Sequence, residues 1–338
     1  MGVNLKPIIS ARQIKLSELS GKVIAIDAFN AIHQFLSIIR QIDGTPLKDR
    51  AGNITSHLSG LFYRTANLVE YGIKPVYVFD GKPHPLKLKV LKKRKEVRDI
   101  AREEWEEALS KGDFEEALKK AKRSGTISDE IIKQSKELLH CLGIPYVDAK
   151  SEGEAQAAYM NMKGDVYGVG SQDYDSILFG SKVLIRNLAI TGKRKISNKQ
   201  VYVEIFPEEI ISDKIFEELV ISREQLIDVA ILTGTDFNEG VKGIGPKKAL
   251  KLIKEYGCIE NLIEKNILEI ESYEEVRKIF LEPDINTSYK LEWNEIDERA
   301  TITFMCNEHD FNRERIINAI EKYKNFTRNL KQKNLFDF

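Results

Sequence analysis

The chain has 338 residues, 42% of them hydrophobic, enough to bury a sizeable core and to form one large domain or two. Its 52 basic and 52 acidic side chains cancel, so bulk charge excludes a general polycation and only local clustering is informative. No run of about 18 apolar residues offers a membrane span, M-G-V-N-L-K lacks the regions of a secretory signal, and three scattered cysteines exclude a disulfide framework or a zinc ligand set; an intracellular protein without a membrane partner is expected.

Residues 22–27, K-V-I-A-I-D, are an apolar run ending in an acid, the pattern of a buried parallel strand. A helix is expected from about Ala31 to Ile42, then a D-G-T-P turn over 43–46. Another helix over 54–71 stops at Gly72, and K-P-V-Y-V-F-D-G gives a second buried strand that again ends in an acid, Asp80. Strand, helix, strand is the signature of an α/β unit. From Pro85 to about Leu142 the chain becomes highly charged, with eight basic residues against one acid between Lys82 and Arg98. Two or three projecting helices are expected there, broken at Gly112 and Gly125, with Ser128 capping the last. G-I-P-Y-V-D (143–148) returns to a strand, Ser151 starts a helix to about Met162, and V-Y-G-V-G and V-L-I-R-N (183–187) are further strands. Residues 188–205 read as a two-stranded excursion around the basic T-G-K-R-K. Residues 14 to about 205 should form one doubly wound domain with a helical insertion. The remainder is mostly helical: Arg223–Thr233, a Gly-rich loop, a helix with Pro246 at its first position, and weaker helices near 273–280 and 312–329.

Asp27 and Asp80 end two apolar strands, and Asp173 and Asp175 follow a third. Ligands of open α/β sheets bind outside the carboxyl ends of strands, so these acids should meet at one edge; any one alone could equally cap a turn. Ser151 and Glu154 match the capping box S-x-x-E, in which Glu154 would bond the Ser151 amide. That leaves Glu152 unexplained. Asp236, in the loop after the helix ending at Thr233, is a seventh acid or a loop cap. Convergent carboxylates repel one another unless a cation sits among them. With no His or Cys cluster, oxygen ligation points to Mg²⁺ or Mn²⁺, and this many acids suit two ions about 4 Å apart, the arrangement that cleaves phosphodiesters.

Lys87 and Arg94, seven apart on one helix face, either lie in solvent or reach a phosphate beside the acids. G-V-K-G-I-G-P-K-K-A (240–249) is either a Gly-rich turn or a phosphate grip of free amides, a helix N-terminus, Lys247 and Lys248.

The ordered set V-I-A-I-D-A-F-N-A-I-H-Q-F-L, T-S-H-L-S-G-L-F-Y-R-T, P-V-Y-V-F-D-G-K-P, S-E-G-E-A-Q-A, S-Q-D-Y-D-S-I-L-F-G, G-T-D-F-N and V-K-G-I-G-P-K-K-A resembles the flap endonuclease family of structure-specific 5′ nucleases, archaeal type. The resemblance implies an α/β fold with a mostly parallel sheet flanked by helices, a helical arch or cap, a basic β-hairpin and a C-terminal helix-two-turn-helix. It divides the chain into a nuclease region (1–98), arch or cap (99–130), internal nuclease region with the helix-two-turn-helix (131–258), C-terminal helical region (259–329) and sliding-clamp tail (330–338). By it Asp27, Asp80, Glu152, Glu154, Asp173, Asp175 and Asp236 hold two Mg²⁺ ions, with Mn²⁺ as a substitute, and Lys87 and Arg94 contact the scissile phosphate. Contacts to DNA fall to His33, Arg40, Thr55, Arg64, Glu152, Gly234, Gly243, Gly245, Lys247 and Lys248, with a monovalent cation at the helix-two-turn-helix. Gln332, Leu335 and Phe338 match the sliding-clamp motif. The implied protein is a monomer that cuts 5′ flaps in replication and repair, leaving a 5′-phosphate and 3′-hydroxyl, with 5′-3′ exonuclease activity. The alternatives are a dedicated 5′-3′ exonuclease and a non-catalytic clamp-associated DNA-binding protein. His33 stands where many relatives carry Tyr, His84 interrupts a usual Pro-Pro pair, and the clamp motif lacks its second aromatic.

Overall fold

The computed structural model describes residues 2–188, 192–195 and 202–336. Its strands are β1 (Arg12–Gln13), β2 (Val23–Asp27), β3 (Lys74–Phe79), β4 (Tyr146–Asp148), β5 (Gly168–Gly170), β6 (Val183–Arg186), β7 (Gly192–Lys195), β8 (Tyr202–Ile205) and β9 (Glu208–Ile211). Seven of them form one sheet in the order β1-β9-β6-β5-β2-β3-β4. From β6 to β4 all neighbours are parallel, and β9 and β1 finish one edge antiparallel. The sheet therefore reaches past the expected limit near residue 205, because β9 returns after the β7–β8 hairpin. The parts of that excursion at 189–191 and 196–201 lie outside the described residues.

The helices are α1 (Ala28–Ile38), α2 (Ser56–Glu70), α3 (Lys87–Ser110), α4 (Phe114–Ala121), α5 (Asp129–Cys141), α6 (Gly153–Lys163), α7 (Asp175–Leu178), α8 (Ser212–Leu219), α9 (Arg223–Thr233), α10 (Pro246–Tyr256), α11 (Ile259–Glu264), α12 (Tyr273–Leu281), α13 (Glu298–Ile302) and α14 (Arg313–Phe336). α1, α2, α5 and α14 cover one face of β2 and β3 with Phe35, Leu58, Phe62, Leu138, Ile320 and Tyr323. On the other face α6 packs through Ala157 and Met160, and an irregular strap adds Tyr289, Leu291 and Trp293. Burial on both faces explains why β2 and β3 are unbroken apolar runs. A second cluster joins α7, α9, α10, α11 and α12 to the N-terminal segment through Val3, Leu5 and Ile9.

α3 is different: among its 24 residues only Ala101 and Ala108 are buried, so it projects from the body. The breaks come where glycine and Ser128 predict them, with Gly112 left-handed (φ +71°) and the Ser128 hydroxyl accepting from the Ile131 N–H at 3.3 Å. α3 runs unbroken through residues 98 and 99.

Two expected helix limits are corrected. α1 begins at Ala28 rather than Ala31 and stops at Ile38, because Asp27 is itself the N-cap, accepting from the Asn30 N–H at 3.0 Å. α14 continues to Phe336 rather than stopping at 329, as the polar run R-N-L-K-Q-K-N consists largely of good helix formers. Among the described residues no helix is long and apolar enough to cross a membrane.

His57, fully buried on α2, makes the fold sensitive to acid. Burial pushes its imidazole down to about 4, against a smaller opposing effect from Gln134. Between pH 6.5 and 4 the unfolded chain binds a proton that the folded chain resists, so stability falls as pH falls, by on the order of 3 kcal/mol at most. His57→Leu should flatten that part of the pH–stability curve in denaturant titrations, whereas an unchanged slope would place the acid sensitivity elsewhere.

Candidate active site

Parallel pairing brings the carboxyl ends of β2, β3 and β5 side by side, with Asp27 opposite Val78 and Ile26 opposite Gly170. Chain order reverses here, β3 lying on one side of β2 and β5 on the other, which is where α/β sheets bind ligands. Asp27 ends β2 and Asp80 follows β3. Asp173 accepts from the Asn30 amide at 3.1 Å, and Asp175, at the start of α7, accepts from the Val3 N–H at 2.8 Å. Asp27, Asp175 and Asp236 are buried, and the other four acids are partly buried.

The expected capping box at Ser151–Glu154 does not form. Glu152 is the N-cap residue of α6, and Glu154 sits in its first turn. The first α6 amide, from Gly153, donates instead to Asp80 at 2.7 Å. A side chain at Gly153 would fall 2.6 Å from that carboxylate, so glycine lets α6 approach β3. Asp80 thus receives the positive end of the helix that carries two more acids.

Burial is the largest cause of the raised pKa values of Asp27, Asp80, Glu152, Glu154 and Asp175, and neighbouring acids add to it. Asp175 reaches about 7, pushed by burial, Asp236 and Asp173. Glu154 feels Asp175, Asp27 and Asp173, and its Oε1 is buried with no hydrogen-bond partner. The seven acids therefore form one electrostatic unit that is short of positive charge.

Two cations answer part of that deficit. Lys87 pairs with Glu152 and lies 3.6 Å from Asp236. Burial opposes its charge, yet Glu152, Asp80 and Asp236 outweigh that and hold its pKa above the ordinary value. Arg94 meets both oxygens of Asp236, one at 3.1 Å, while Lys93 reaches Glu239 at 3.2 Å. The shared face expected for Lys87 and Arg94 is thus turned onto the acids. His33 of α1 faces the same helix, and burial, then Arg98 and Arg94, lower its pKa. His84 stands edge-on to Phe237, ring centroids 6.2 Å apart.

Among the described residues no three of the acids already stand as a ligand shell. The donor set still fits a hard divalent cation, being all carboxylate, at least partly buried and mutually repulsive, with one orphaned oxygen at Glu154.

The remaining predicted positions scatter. Arg40 turns inward, donating to the Leu36 and Gly44 carbonyls at 2.7 and 2.8 Å. Thr55 is buried at the N-cap of α2, and burial lowers the pKa of Arg64 on the same helix. Gly234 ends α9 at φ +103°, and a side chain there would meet the Glu239 carbonyl at 2.9 Å. That closeness folds residues 234–241 into a tight loop, tied by Thr235 and Asn238. Gly243 is left-handed at φ +80°, Gly245 is the N-cap of α10, and Lys247 and Lys248 are exposed in its first turn. Gln332 and Leu335 fall on the last turns of α14, and Phe338 lies outside the described residues.

Sequence reasoning missed Asn30, Gly153 and Val3. Asn30 sits one helical turn beyond Asp27, a spacing that could have marked it. The Val3–Asp175 bond spans 172 positions and has no sequence signal.

The XPG N-terminal domain family matches residues 1–101, and the XPG I-region family matches 143–236. Flap endonuclease 1 of Pyrococcus abyssi is 54% identical over 336 residues, 99% of this chain and 97% of that protein. Flap endonuclease 1 of Archaeoglobus fulgidus is 53% identical over 324 residues, 96% of each. Among solved structures, flap endonuclease-1 from Methanococcus jannaschii superposes with a TM-score of 0.78 at 41% identity, covering 97% of this chain and 99% of that one. The catalytic core of Rad2 in complex with DNA substrate superposes with a TM-score of 0.70 at 26% identity, over 94% and 97% of the two chains.

Crowded buried charge carries a stability penalty. Asp175 titrates near 7 when folded and near 4 when unfolded, so the folded state gains from its proton at low pH and loses that gain as pH rises through 7. Without divalent ions at pH 8, Asp175→Asn should be more stable than the parent by on the order of 1–3 kcal/mol, and the difference should vanish near pH 4. Denaturant unfolding at the two pH values measures both, and a destabilised variant at pH 8 would contradict the repulsion argument.

Proposed function

The chain belongs to the flap endonuclease 1 family, and from that premise we propose that its acid cluster is the centre of a divalent-metal-dependent nuclease that cuts 5′ flaps at single-strand/duplex junctions. The observation that carries this reading is the gathering of seven buried or partly buried carboxylates, from widely separated segments, around the carboxyl ends of three parallel strands. A protein that only bound DNA would gain nothing from buried negative charge where a phosphate must sit. The reaction is hydrolysis: the oxygen of water bonds to phosphorus, the bond from phosphorus to the 3′ oxygen breaks, and a 5′-phosphate and 3′-hydroxyl remain. Serial removal of terminal nucleotides by the same chemistry gives the 5′-3′ exonuclease activity.

Asp27, Asp80, Glu152, Glu154, Asp173, Asp175 and Asp236 would hold two Mg²⁺ ions, directly or through water, with Mn²⁺ as a substitute. Bound there, such ions activate water and neutralise charge on the attacking and leaving oxygens. The chain supplies the alignment. Asn30 and the Val3 N–H fix Asp173 and Asp175, and the Gly153 N–H fixes Asp80. Lys87 and Arg94 exchange Glu152 and Asp236 for the scissile phosphate and offset its developing charge. His33 lies beside them and presents a neutral ring face to a base.

Substrate grip is assigned in the same way. Lys247, Lys248 and the amides of the loop containing Gly234, Gly243 and Gly245 hold duplex phosphates without reading sequence, and a monovalent cation fits the carbonyls of that turn. Glu152 lies against the flapped strand, while Arg40, Thr55 and Arg64 border the upstream duplex. α3 and α4 form the arch, and Gln332, Leu335 and Phe338 dock a sliding clamp. We propose a monomer acting in DNA replication, including Okazaki fragment processing, and in repair, with the regional division 1–98, 99–130, 131–258, 259–329 and 330–338.

Cleavage of labelled double-flap DNA and of the matching blunt duplex, with Mg²⁺, tests this reading. Strong preference for the flap is expected, and preference for the blunt end would replace it with a dedicated exonuclease. Arg94→Ala should slow single-turnover cleavage about 100-fold or more while weakening flap binding only a few-fold. Equal losses would make Arg94 a phosphate anchor.

A further inference from the structure

Between β3 and α3 the chain reads Lys82-Pro83-His84-Pro85-Leu86, with His84 interrupting the usual Pro-Pro pair. It leaves β3 pinned, the Gly81 and Lys82 N–H groups donating to the Ser151 and Lys150 carbonyls at 2.7 and 3.0 Å. Beyond that point Pro83 and Pro85 have no N–H to tie, and a proline after His84 disfavours helical backbone at His84 itself. His84 ties the entry to α3 instead. Its carbonyl accepts from the Lys87 N–H at 2.9 Å, and its ring Nδ1 accepts from the Leu86 N–H at 3.3 Å. One residue thus satisfies two of the donors that a helix start leaves open.

The same ring stands edge-on to Phe237, with centroids 6.2 Å apart and planes at 87°. Phe237 is buried, follows Asp236 in the chain, and passes the contact to Phe280 of α12 at 5.5 Å, which in turn lies 4.8 Å from Phe179. Leu86 packs against this cluster as well. The loop that carries Asp236 and Phe237 is closed at its neck, since a side chain at Gly240 would fall 2.5 Å from the Gly234 nitrogen. The base of α3 therefore rests on a closed loop that runs directly into the 240–249 segment. Ion pairs join the two elements too: Lys87 and Arg94 to Asp236, and Lys93 to Glu239. The Lys93 pair is exposed on both sides, at 72% and 79%, and contributes little. The other two are given up when Lys87 and Arg94 take a phosphate. With substrate bound, the register of α3 on the loop falls to the uncharged contacts of Leu86 and His84.

We infer that His84 is a positioning residue for cleavage: it holds the base of α3 on the 234–241 loop, so that Lys87 and Arg94 meet the phosphate beside the acids. Its contribution is to the rate of the chemical step rather than to the grip on DNA, because it acts through those two cations. This rests on the flap endonuclease reading above.

The test is single-turnover cleavage of a 5′ flap by excess full-length enzyme with Mg²⁺, with flap dissociation constants measured in parallel without divalent ions. His84→Ala should slow cleavage about tenfold, the scale of one aromatic edge contact and one neutral hydrogen bond, while flap affinity stays within about twofold of the parent. His84→Asn keeps an acceptor two residues before the Leu86 N–H, and His84→Phe keeps the ring edge against Phe237, so each should recover part of the rate. In a Lys87→Ala/Arg94→Ala background, His84→Ala should slow cleavage by no more than about twofold, since the residues it acts through are already gone. A parental rate in His84→Ala, equal losses of rate and affinity, no recovery in either conservative variant, or a full tenfold further loss in the double-variant background would overturn the proposal while leaving the nuclease reading intact. A parent that cleaves no flap would remove that reading and the proposal with it.

Discussion

Repulsion among buried carboxylates is the constraint on which the rest of this molecule depends. β2, β3 and β5 are short and apolar, and parallel pairing forces their carboxyl ends together. Any acid placed there is brought close to the others. Nearly every neighbour of the cluster then supplies a donor or a positive charge: the Asn30 amide, the Val3 and Gly153 N–H groups, the Lys87 ammonium and the Arg94 guanidinium. None of them satisfies Glu154 Oε1. Such a site is expensive in stability and acceptable only where a cation is required.

The same constraint explains the charge pattern of α3. A projecting helix with two buried residues has little apolar area to fix its orientation. Ion pairs to Glu152 and Asp236 hold its base instead, and the Trp105 indole donates to the Asp43 carbonyl at 3.0 Å further along. The cations that steady the base of α3 are therefore the two proposed to meet a phosphate. Electrostatics thus positions the base of α3, and its attachment is sensitive to the charge at the site.

Much of the fold could be read from local pattern. Strand ends at Asp27 and Asp80, breaks at Gly112 and Gly125, the Ser128 cap and Pro246 at a helix start all follow from short-range chemistry and stand in the structure. Six of the seven acids stand out because each follows a strand or opens a helix, whereas Asp236 lies in the loop after α9. What failed needed partners distant in sequence. Ser151–Glu154 is a good capping box in isolation, but the α6 amide found Asp80, 73 positions away. The one local exception is Asp27, a strand end that also caps α1 through the Asn30 N–H three positions on. Nothing in local sequence marks the Val3 bond to Asp175 or the His309 bond to Asp49, since both are made by tertiary folding alone.

Anomalous diffraction from crystals soaked in Mn²⁺ tests the central claim most directly, because it reports where divalent ions settle without reference to cleavage. Two peaks about 4 Å apart are expected, enclosed by Asp27, Asp80, Glu152, Glu154, Asp173, Asp175 and Asp236, with Lys87 and Arg94 drawn away from Glu152 and Asp236. Peaks elsewhere on the surface, with Lys87 and Arg94 still paired to those acids, would contradict it.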